Sequence, residues 1–290
     1  MSTVFQVDGG LGRVVSALPA LLKYHKNHPD KEWYVVIPAW DFVVFSIPEL
    51  QRRTHYMDDP KLFDSIIRNA KEYINPEPYK IPEYYRQEIS LAEAFDKVIN
   101  KTDDHSDLEY DTLRLSKFEM RMAQIILNEN TDGKKKRIVI NPFGSSAQQS
   151  PFGVVDNSNR SLTEEVYLKL VKKLSSKYDV IYFGDLKLAP KGDTYTYKID
   201  PDPNLRVWMA LINACDYFIG CDTSGQHIAR SLNKPGTVIL GGTHENNVSY
   251  PDHFEIFKRD CEFHYSPMRI SAEESALAER LMDCCMDFTD

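Results

Sequence analysis

The sequence predicts an α/β protein built from two Rossmann-like domains that face a central cleft. The chain opens with a strand, a glycine turn, a helix and a second strand, and the same alternation restarts near residue 137. A further strand-to-helix junction, over residues 217–232, joins an apolar strand to a small, polar turn. Because parallel strands end at one edge of their sheet, we expect ligands to bind in the cleft at that edge.

The N-terminal domain is predicted to cover residues 1–130. Its first strand is Thr3 to Val7, and the turn Asp8-Gly9-Gly10-Leu11-Gly12 leads into a helix over about residues 13–25. Apolar side chains recur at three- and four-residue spacing in that helix, which is typical of one buried face. Tyr34 to Pro38 is the second strand.

The remainder of this domain is less regular. Residues 40–90 are rich in proline and tyrosine, and their aromatic content favours an ordered, functional loop region over a disordered linker. Helical spacing returns over residues 90–100 and 112–127. The polar stretch 128–134 contains a glycine and precedes a new strand, so we place the domain boundary there.

The C-terminal domain is predicted to cover residues 131–270. Its predicted strands cover residues 137–141, 179–184, 216–220 and 237–240. Its predicted helices cover residues 161–177, 204–214 and 224–232, the first of them opened by a capping box from Ser161 to Glu164. Residues 142–159 are predicted to form a long polar loop. A terminal helix over 271–290 is a candidate for packing back on the N-terminal domain.

Composition narrows the class of protein. The 290 residues include 43 acidic and 35 basic side chains, giving a net charge of −8, which argues against indiscriminate binding to nucleic acid or anionic membranes. A local basic surface is still compatible with that charge, and Lys134 to Arg137 form a compact basic run, although a solvated approach to the next strand explains it as well.

The five cysteines are odd in number and have no CxxC spacing, so neither a zinc site nor a disulfide framework is indicated. We therefore expect a reducing, cytoplasmic location. The sequence shows no signal peptide, and its most apolar stretch, Tyr34 to Pro48, is too short to span a bilayer.

Residues 217–232 are the most informative stretch. An apolar strand runs directly into a helix, which points backbone N–H groups and the positive end of the helix dipole at one place. Asp222 and Thr223 are candidate helix caps, Ser224 and Gly225 keep the turn open, and His227 lies one turn into the helix. The pattern favours a diphosphate over a metal or a nucleophile, although a plain strand-to-helix junction would look similar.

These pieces together resemble the heptosyltransferase-like family of GT-B glycosyltransferases. The resemblance rests on three stretches in the same order, of which any one alone is weak. They are Gly9-Gly10-Leu11-Gly12 followed by Leu18-Pro19-Ala20, Ile140-Asn141-Pro142-Phe143-Gly144-Ser145-Ser146, and Asp222-Thr223-Ser224-Gly225-Gln226-His227-Ile228-Ala229. Residues 41–130 match no part of the family pattern.

The resemblance implies a nucleoside-diphosphate sugar bound mainly by the C-terminal domain and an acceptor docked on the N-terminal domain. It implies transfer with inversion and without a metal ion or other cofactor, and the sequence has no clear Asp-x-Asp metal motif. Trp208 and Met209 are candidates to pack on the nucleobase, although core packing is the commoner role of such a pair. The predicted donor-binding residues are Gly10, Gly12, Ser145, Ser146, Gly184, Asp185, Asp222, Thr223, Ser224, Gly225 and His227.

The chain departs from the family at one important position. Where the family has an aspartate that serves as the base, this sequence has Arg13, which stays protonated and cannot accept a proton. We favour Asp8 as the catalytic base and Arg13 as a clamp on phosphate or acceptor. Three alternatives stay open: a base within residues 41–130, an Asp8 that only caps the glycine turn, and a chain that binds without catalysing.

The leading hypothesis is therefore a glycosyltransferase with a saccharide acceptor. Alternatives are a sugar-nucleotide epimerase of the same architecture, a noncatalytic nucleotide-sugar binding module, and a transferase acting on protein or on a hydroxymethylated DNA base. The DNA alternative needs a basic cleft and base flipping, and the acidic balance of the chain counts against it. The sequence contains neither a P-loop nor a Gly-x-Gly-x-x-Gly turn.

Overall fold

The computed structural model describes residues 2–199 and 204–259. Its strands are β1 (Ser2–Gln6), β2 (Trp33–Val36), β3 (Thr54–His55), β4 (Ala70–Ile74), β5 (Arg137–Asn141), β6 (Gln148–Ser150), β7 (Gly153–Val155), β8 (Asp179–Tyr182), β9 (Tyr197–Lys198), β10 (Tyr217–Gly220), β11 (Gly236–Leu240) and β12 (Phe254–Lys258). Its α-helices are α1 (Leu11–Asn27), α2 (Pro48–Gln51), α3 (Pro82–Tyr85), α4 (Leu91–Asn100), α5 (Lys117–Asn130), α6 (Glu164–Ser175), α7 (Leu205–Ala214), α8 (Ser224–Ser231) and α9 (Glu245–Val248).

The N-terminal sheet has four parallel strands in the order β3-β2-β1-β4. The helices α1 and α4 pack together against one face, where Leu18, Leu21 and Phe95 are completely or almost completely buried. A smaller apolar cluster that includes Leu62 and Ile66 covers the opposite face. The strands β3 and β4 were not predicted, because one has two residues and the other is largely exposed, so neither has an apolar run.

The C-terminal sheet has six parallel strands in the order β12-β11-β10-β5-β8-β9. Helices lie on both faces: α6 packs against β8 on one side, while α7 and α8 bury their apolar faces on the other. The four strands predicted here are confirmed. The predicted loop 142–159 is wrong in part, because it contains the antiparallel hairpin of β6 and β7, whose side chains are mostly exposed and give no apolar signal.

The helix α6 begins later than the sequence indicates. Its N-cap is Thr163, whose hydroxyl accepts a hydrogen bond from the Val166 N–H, so the predicted capping box at Ser161 is wrong. The Ser161 hydroxyl instead donates to Asp156 at 2.5 Å. A local spacing rule cannot distinguish these two uses of a hydroxyl, since the partner of Ser161 lies on the preceding loop.

The helix α5 precedes the predicted domain boundary but packs against α7 of the C-terminal domain. Its capping box of Ser116 and Glu119 also brings the Glu119 carboxylate to Arg206 at the start of α7, with oxygen–nitrogen distances of 2.5 and 3.0 Å. The boundary predicted after residue 130 therefore follows a helix that lies on the second domain. The predicted helix over 271–290 lies outside the described residues.

Among the described residues, no helix combines the length and the apolar character needed to cross a membrane.

Candidate active site

Two helix N-termini converge where the domains meet. A Cβ atom placed on Gly12, in the first turn of α1, would lie 2.7 Å from His227 Cδ2 and 3.4 Å from the Cα of Ser224 in α8. Any side chain at position 12 would therefore push the two helices apart. Neither helix has a side-chain cap at its N-cap residue, Gly10 for α1 and Thr223 for α8. The positive ends of both helix dipoles thus lie close together.

The predicted caps of α8 have other partners. Thr223 is the N-cap residue, but its hydroxyl donates to Asn141 Oδ1 at 2.5 Å rather than to the helix. Asp222 is 1% exposed, and its Oδ1 accepts a weak bond from Gln226 at 3.5 Å. Its Oδ2 has no hydrogen-bond partner among the described residues. The predicted side-chain capping of α8 by these two residues is therefore not observed.

His227 joins the two domains. Its Nδ1 lies 2.8 Å from the Tyr250 hydroxyl and 3.1 Å from the hydroxyl of Ser16 in α1. Burial raises the pKa of Tyr250, so its hydroxyl stays protonated and can donate to Nδ1. The imidazole is 5% exposed and packs against Gly12. The predicted contact of His227 with a diphosphate stays a prediction, while its contact with the N-terminal domain is direct.

Arg160 is a functional candidate that the sequence analysis missed. It is 5% exposed, and its guanidinium donates to the hydroxyls of Ser146 at 2.9 Å and Ser158 at 3.1 Å and, at 3.4 Å, to the carbonyl of Asp222. Among the described residues it forms no ion pair with a carboxylate. Since buried arginines are rarely left without an anion, a cation here, beside the start of α8, is suited to bind a ligand phosphate.

The serines around Arg160 are fixed by Asp156. Its carboxylate accepts hydrogen bonds from the hydroxyls of Ser146, Ser158 and Ser161. Burial alone would raise the pKa of Asp156, but the hydrogen bonds from these residues outweigh burial and lower that pKa to about 2. The Ser146 side chain therefore stabilises this loop through hydrogen bonds within the domain, while the neighbouring Ser145 is exposed.

A pH titration tests this network. The folded-state pKa of Asp156 lies below the unfolded value, so its stabilising effect is present above about pH 4 and disappears as the pH falls towards 2. We expect Asp156→Asn to lose about 2 kcal/mol of unfolding free energy at neutral pH. Urea unfolding at several pH values between 6 and 2 should show the difference between wild type and variant shrinking with acid. A difference that stays constant would show that Asp156 acts through shape alone.

A cavity of about 300 Å³ opens beside these helix ends. Its lining is mainly apolar and includes Phe183 and Trp208, whose rings meet edge to face at 4.3 Å between centroids. Three predicted donor-binding residues, Gly184, Asp185 and Ser224, also line it. Their predicted proximity is therefore observed. The size and the aromatic lining are suited to a flat, partly apolar group such as a nucleobase.

On the N-terminal side, Asp8 follows β1 with its side chain 39% exposed. Asn75 donates to Oδ2 of Asp8 at 3.4 Å, and Nη2 of Arg13 lies 3.5 Å from Oδ1. The carboxylate is thus held at the carboxyl end of the sheet and remains open to solvent. This location is compatible with the predicted role as a base.

Arg13, the predicted clamp on phosphate or acceptor, has its contacts within the N-terminal domain. Its guanidinium donates to Glu77 at 2.9 Å and to the Pro76 carbonyl at 2.9 Å, and it stacks on the Tyr79 ring at 5.0 Å. Burial would lower the pKa of Arg13, but the hydrogen bond and charge of Glu77 raise it. These contacts lie within the N-terminal domain and hold the 76–79 loop, and a contact of Arg13 with phosphate or acceptor stays a prediction.

No family model matches the sequence, and no curated protein matches it. The solved structure of E. coli ADP-heptose LPS heptosyltransferase II is similar with a TM-score of 0.63 at 15% identity, over 98% of this chain and 99% of that one. A glycosyl transferase family 9 protein from Veillonella parvula gives a TM-score of 0.65 at 15% identity, over 96% and 95%. The chain has the GT-B fold.

E. coli heptosyltransferase WaaC, solved with ADP, is a third similar structure, with a TM-score of 0.55 at 12% identity over 98% of this chain and 99% of that one. The predicted fold class is confirmed by these likenesses. Within this GT-B fold, seven of the predicted residues fall into two groups. Gly12, Gly184, Asp185, Ser224 and Gly225 lie at the helix ends or the cavity, whereas Arg13 and Ser146 are used inside their own domains.

Proposed function

We propose that this protein is a glycosyltransferase that moves a sugar from a nucleoside-diphosphate sugar to an acceptor hydroxyl. One observation carries the proposal: two helix N-termini without side-chain caps lie beside an apolar cavity and close to the buried Arg160, which has no carboxylate partner among the described residues. A nucleoside diphosphate has the matching chemistry, since it joins a flat base to two adjacent anions. The GT-B fold of the chain supports the same assignment.

The donor is expected to bind in two parts. Its base would enter the cavity and pack against the edge-to-face pair of Phe183 and Trp208 that lines it. Asp185 lines the same cavity with an exposed carboxylate that can accept hydrogen bonds from ribose hydroxyls. The diphosphate would then lie at the start of α8, within reach of Arg160.

The reaction needs one base and one leaving group. We propose that Asp8 accepts the proton of the acceptor hydroxyl while the acceptor oxygen bonds to the sugar's anomeric carbon from the face opposite the diphosphate. The bond between that carbon and the β-phosphate oxygen breaks, and its electron pair stays on the nucleoside diphosphate. The helix dipoles and Arg160 stabilise the developing charge, a task that requires no metal ion. The product has inverted configuration.

The proposed acceptor is a saccharide. Trp40 is partly exposed near Asp8, the proposed catalytic base. Its Nε1–H donates to the carbonyl of Gly9, the residue after Asp8, at 3.0 Å, and this bond holds the indole in place. An indole face is a good platform for the apolar face of a sugar ring, since it offers a large area without the loss of many rotamers. A protein or modified-DNA acceptor has no comparable feature in its favour here.

A thermal-shift screen tests the donor assignment first. The purified protein would be titrated with ADP, GDP, UDP, CMP and their sugar derivatives, with Mg²⁺ and with EDTA. We expect stabilisation by one nucleoside diphosphate and its sugar, of equal size with Mg²⁺ and with EDTA, because a ligand that binds only the folded state raises its stability. No stabilisation by any of these compounds would contradict the donor site, and stabilisation that needs Mg²⁺ would contradict metal independence.

Arg160→Ala tests the phosphate contact. We expect the dissociation constant for the nucleoside diphosphate to rise about 10- to 100-fold, the effect of losing a charge-assisted hydrogen bond. Isothermal titration would measure it, and binding of the corresponding nucleoside without phosphates should change little. Lys191→Ala, at an exposed cation of the same domain, is the matched control. If Arg160→Ala weakened binding of the nucleoside and of the nucleoside diphosphate equally, Arg160 would only support the fold of its loop.

A further inference from the structure

A second charged feature lies outside the proposed site. Six lysines form what we call the basic surface: Lys134, Lys135, Lys136, Lys172, Lys173 and Lys177. The first three precede β5, and the others lie in the last turn of α6 or just beyond it. The two groups are adjacent in space, because Lys135 Nζ donates to the Ser175 carbonyl at 2.8 Å and the Lys136 carbonyl accepts from the Asp179 N–H at 3.0 Å.

The basic surface is not neutralised locally. All six lysines are exposed, and among the described residues none of them forms an ion pair with a carboxylate. Of the nearby acids, Asp179 is 2% exposed, whereas Asp132 and Asp216 are exposed, and Asp216 accepts a hydrogen bond from the Arg137 N–H. A cluster of unpaired cations is unusual on a chain whose net charge is −8. It therefore gives this part of the surface a local attraction for anions.

The location separates this surface from the proposed reaction. The lysines lie at the amino ends of β5 and β8, whereas Arg160 and the cavity lie at the carboxyl ends. Four residue steps along β5, from Arg137 to Asn141, separate the two edges by about 13 Å. An anion bound by the lysines is therefore neither the donor nor an acceptor in the cleft, and this inference is independent of the proposed function.

We propose that the basic surface binds the anionic headgroups of a lipid bilayer. Its cations are all lysines, which are mobile, strongly hydrated point charges suited to a fluid layer of phosphates, whereas rigid bidentate recognition uses arginine. Each lysine near an anionic membrane adds attraction, and clusters of four to eight act together. Tyr178 is partly exposed between the two groups of lysines, and tyrosine is favoured at membrane interfaces. A nucleic-acid substrate would have to reach the opposite edge of the sheet.

Vesicle co-sedimentation of the full chain tests the proposal. We expect binding to phosphatidylcholine vesicles that contain a third of phosphatidylglycerol, little binding to pure phosphatidylcholine, and release at high salt. The variant Lys134→Glu/Lys172→Glu/Lys177→Glu should bind the acidic vesicles about 100-fold more weakly. Lys31→Glu/Lys61→Glu/Lys80→Glu, with the same charge change at exposed positions of the N-terminal domain, should bind far better than that variant.

Three outcomes would overturn the proposal. The first is an absence of binding to acidic vesicles at low salt, and the second is equal weakening by the two triple variants, which would show an effect of total charge only. The third is binding of a labelled DNA duplex that the basic-surface variant loses while acidic vesicles do not bind, which would assign the surface to nucleic acid. Circular dichroism and melting temperatures of both variants exclude misfolding as the cause.

Discussion

Asp8→Asn is expected to lower the turnover number by about 10²- to 10⁴-fold, the usual contribution of a general base. The substitution keeps the shape of the side chain and its hydrogen bond with Asn75 can be maintained, but an amide cannot accept the acceptor's proton. Donor affinity should change less than about twofold, because Asp8 lies on the other domain and makes none of the proposed donor contacts. Turnover would be measured as release of the nucleoside diphosphate identified in the thermal-shift screen.

The control for this prediction is Asp58→Asn, an exposed aspartate that lies after β3 and makes no contact with the cleft residues described above. It should retain full turnover. Full turnover of Asp8→Asn would instead move the base elsewhere, and the absence of transfer in both wild type and variant, with donor binding intact, would favour the binding-module alternative. A fall in donor affinity as large as the fall in turnover would make Asp8 a binding residue.

Arg206→Met is expected to lower the free energy of unfolding by about 3–5 kcal/mol, the effect of leaving one member of a buried ion pair alone. Arg206 is 3% exposed and donates to Glu119, to the Phe42 carbonyl at 3.0 Å and to the Arg114 carbonyl at 2.5 Å. Burial would raise the pKa of Glu119, but the hydrogen bonds from Arg206 and Ser116 lower it. The methionine would fill the space without satisfying these acceptors.

Urea unfolding measures the loss, and Lys26→Met is its control. Lys26 pairs with Glu109 at 3.1 Å, and both side chains are more than 70% exposed, so the control should lose less than about 1 kcal/mol. A similar small loss for both variants would mean that water reaches the Arg206 pair in solution. A loss confined to the slope of the unfolding curve would indicate that the two domains no longer unfold together.

The fold could be predicted from the sequence where the signal is local. The strands β1, β5, β8, β10 and β11 are buried apolar runs between glycine or polar turns, and α8 starts directly behind β10. These patterns depend on neighbours in the chain, so a single sequence contains them. The short or exposed strands β3, β4 and β6 have no such pattern and were missed.

The site could be predicted only in part, because its decisive contacts join distant residues. Arg13 meets Glu77, 64 positions away, and Arg160 lies beside Asp222, 62 positions away. The residues next to an arginine in the sequence do not indicate whether a distant carboxylate will pair with it in the folded chain. The sequence offered one usable signal for Arg160, which is a cation flanked by serines in the loop that follows a buried strand.

The position of α5 defines how the chain can be divided. Although α5 comes before β5, it covers α7 through the Arg206–Glu119 pair and through the contact of Asn213 with the Met120 sulfur at 3.1 Å. A fragment cut at residue 131 would uncover that face of α7 and leave Arg206 without its partners. A fragment cut at Ser116 keeps the helix and its capping box, so the proposed donor-binding unit starts about twenty residues before its own sheet.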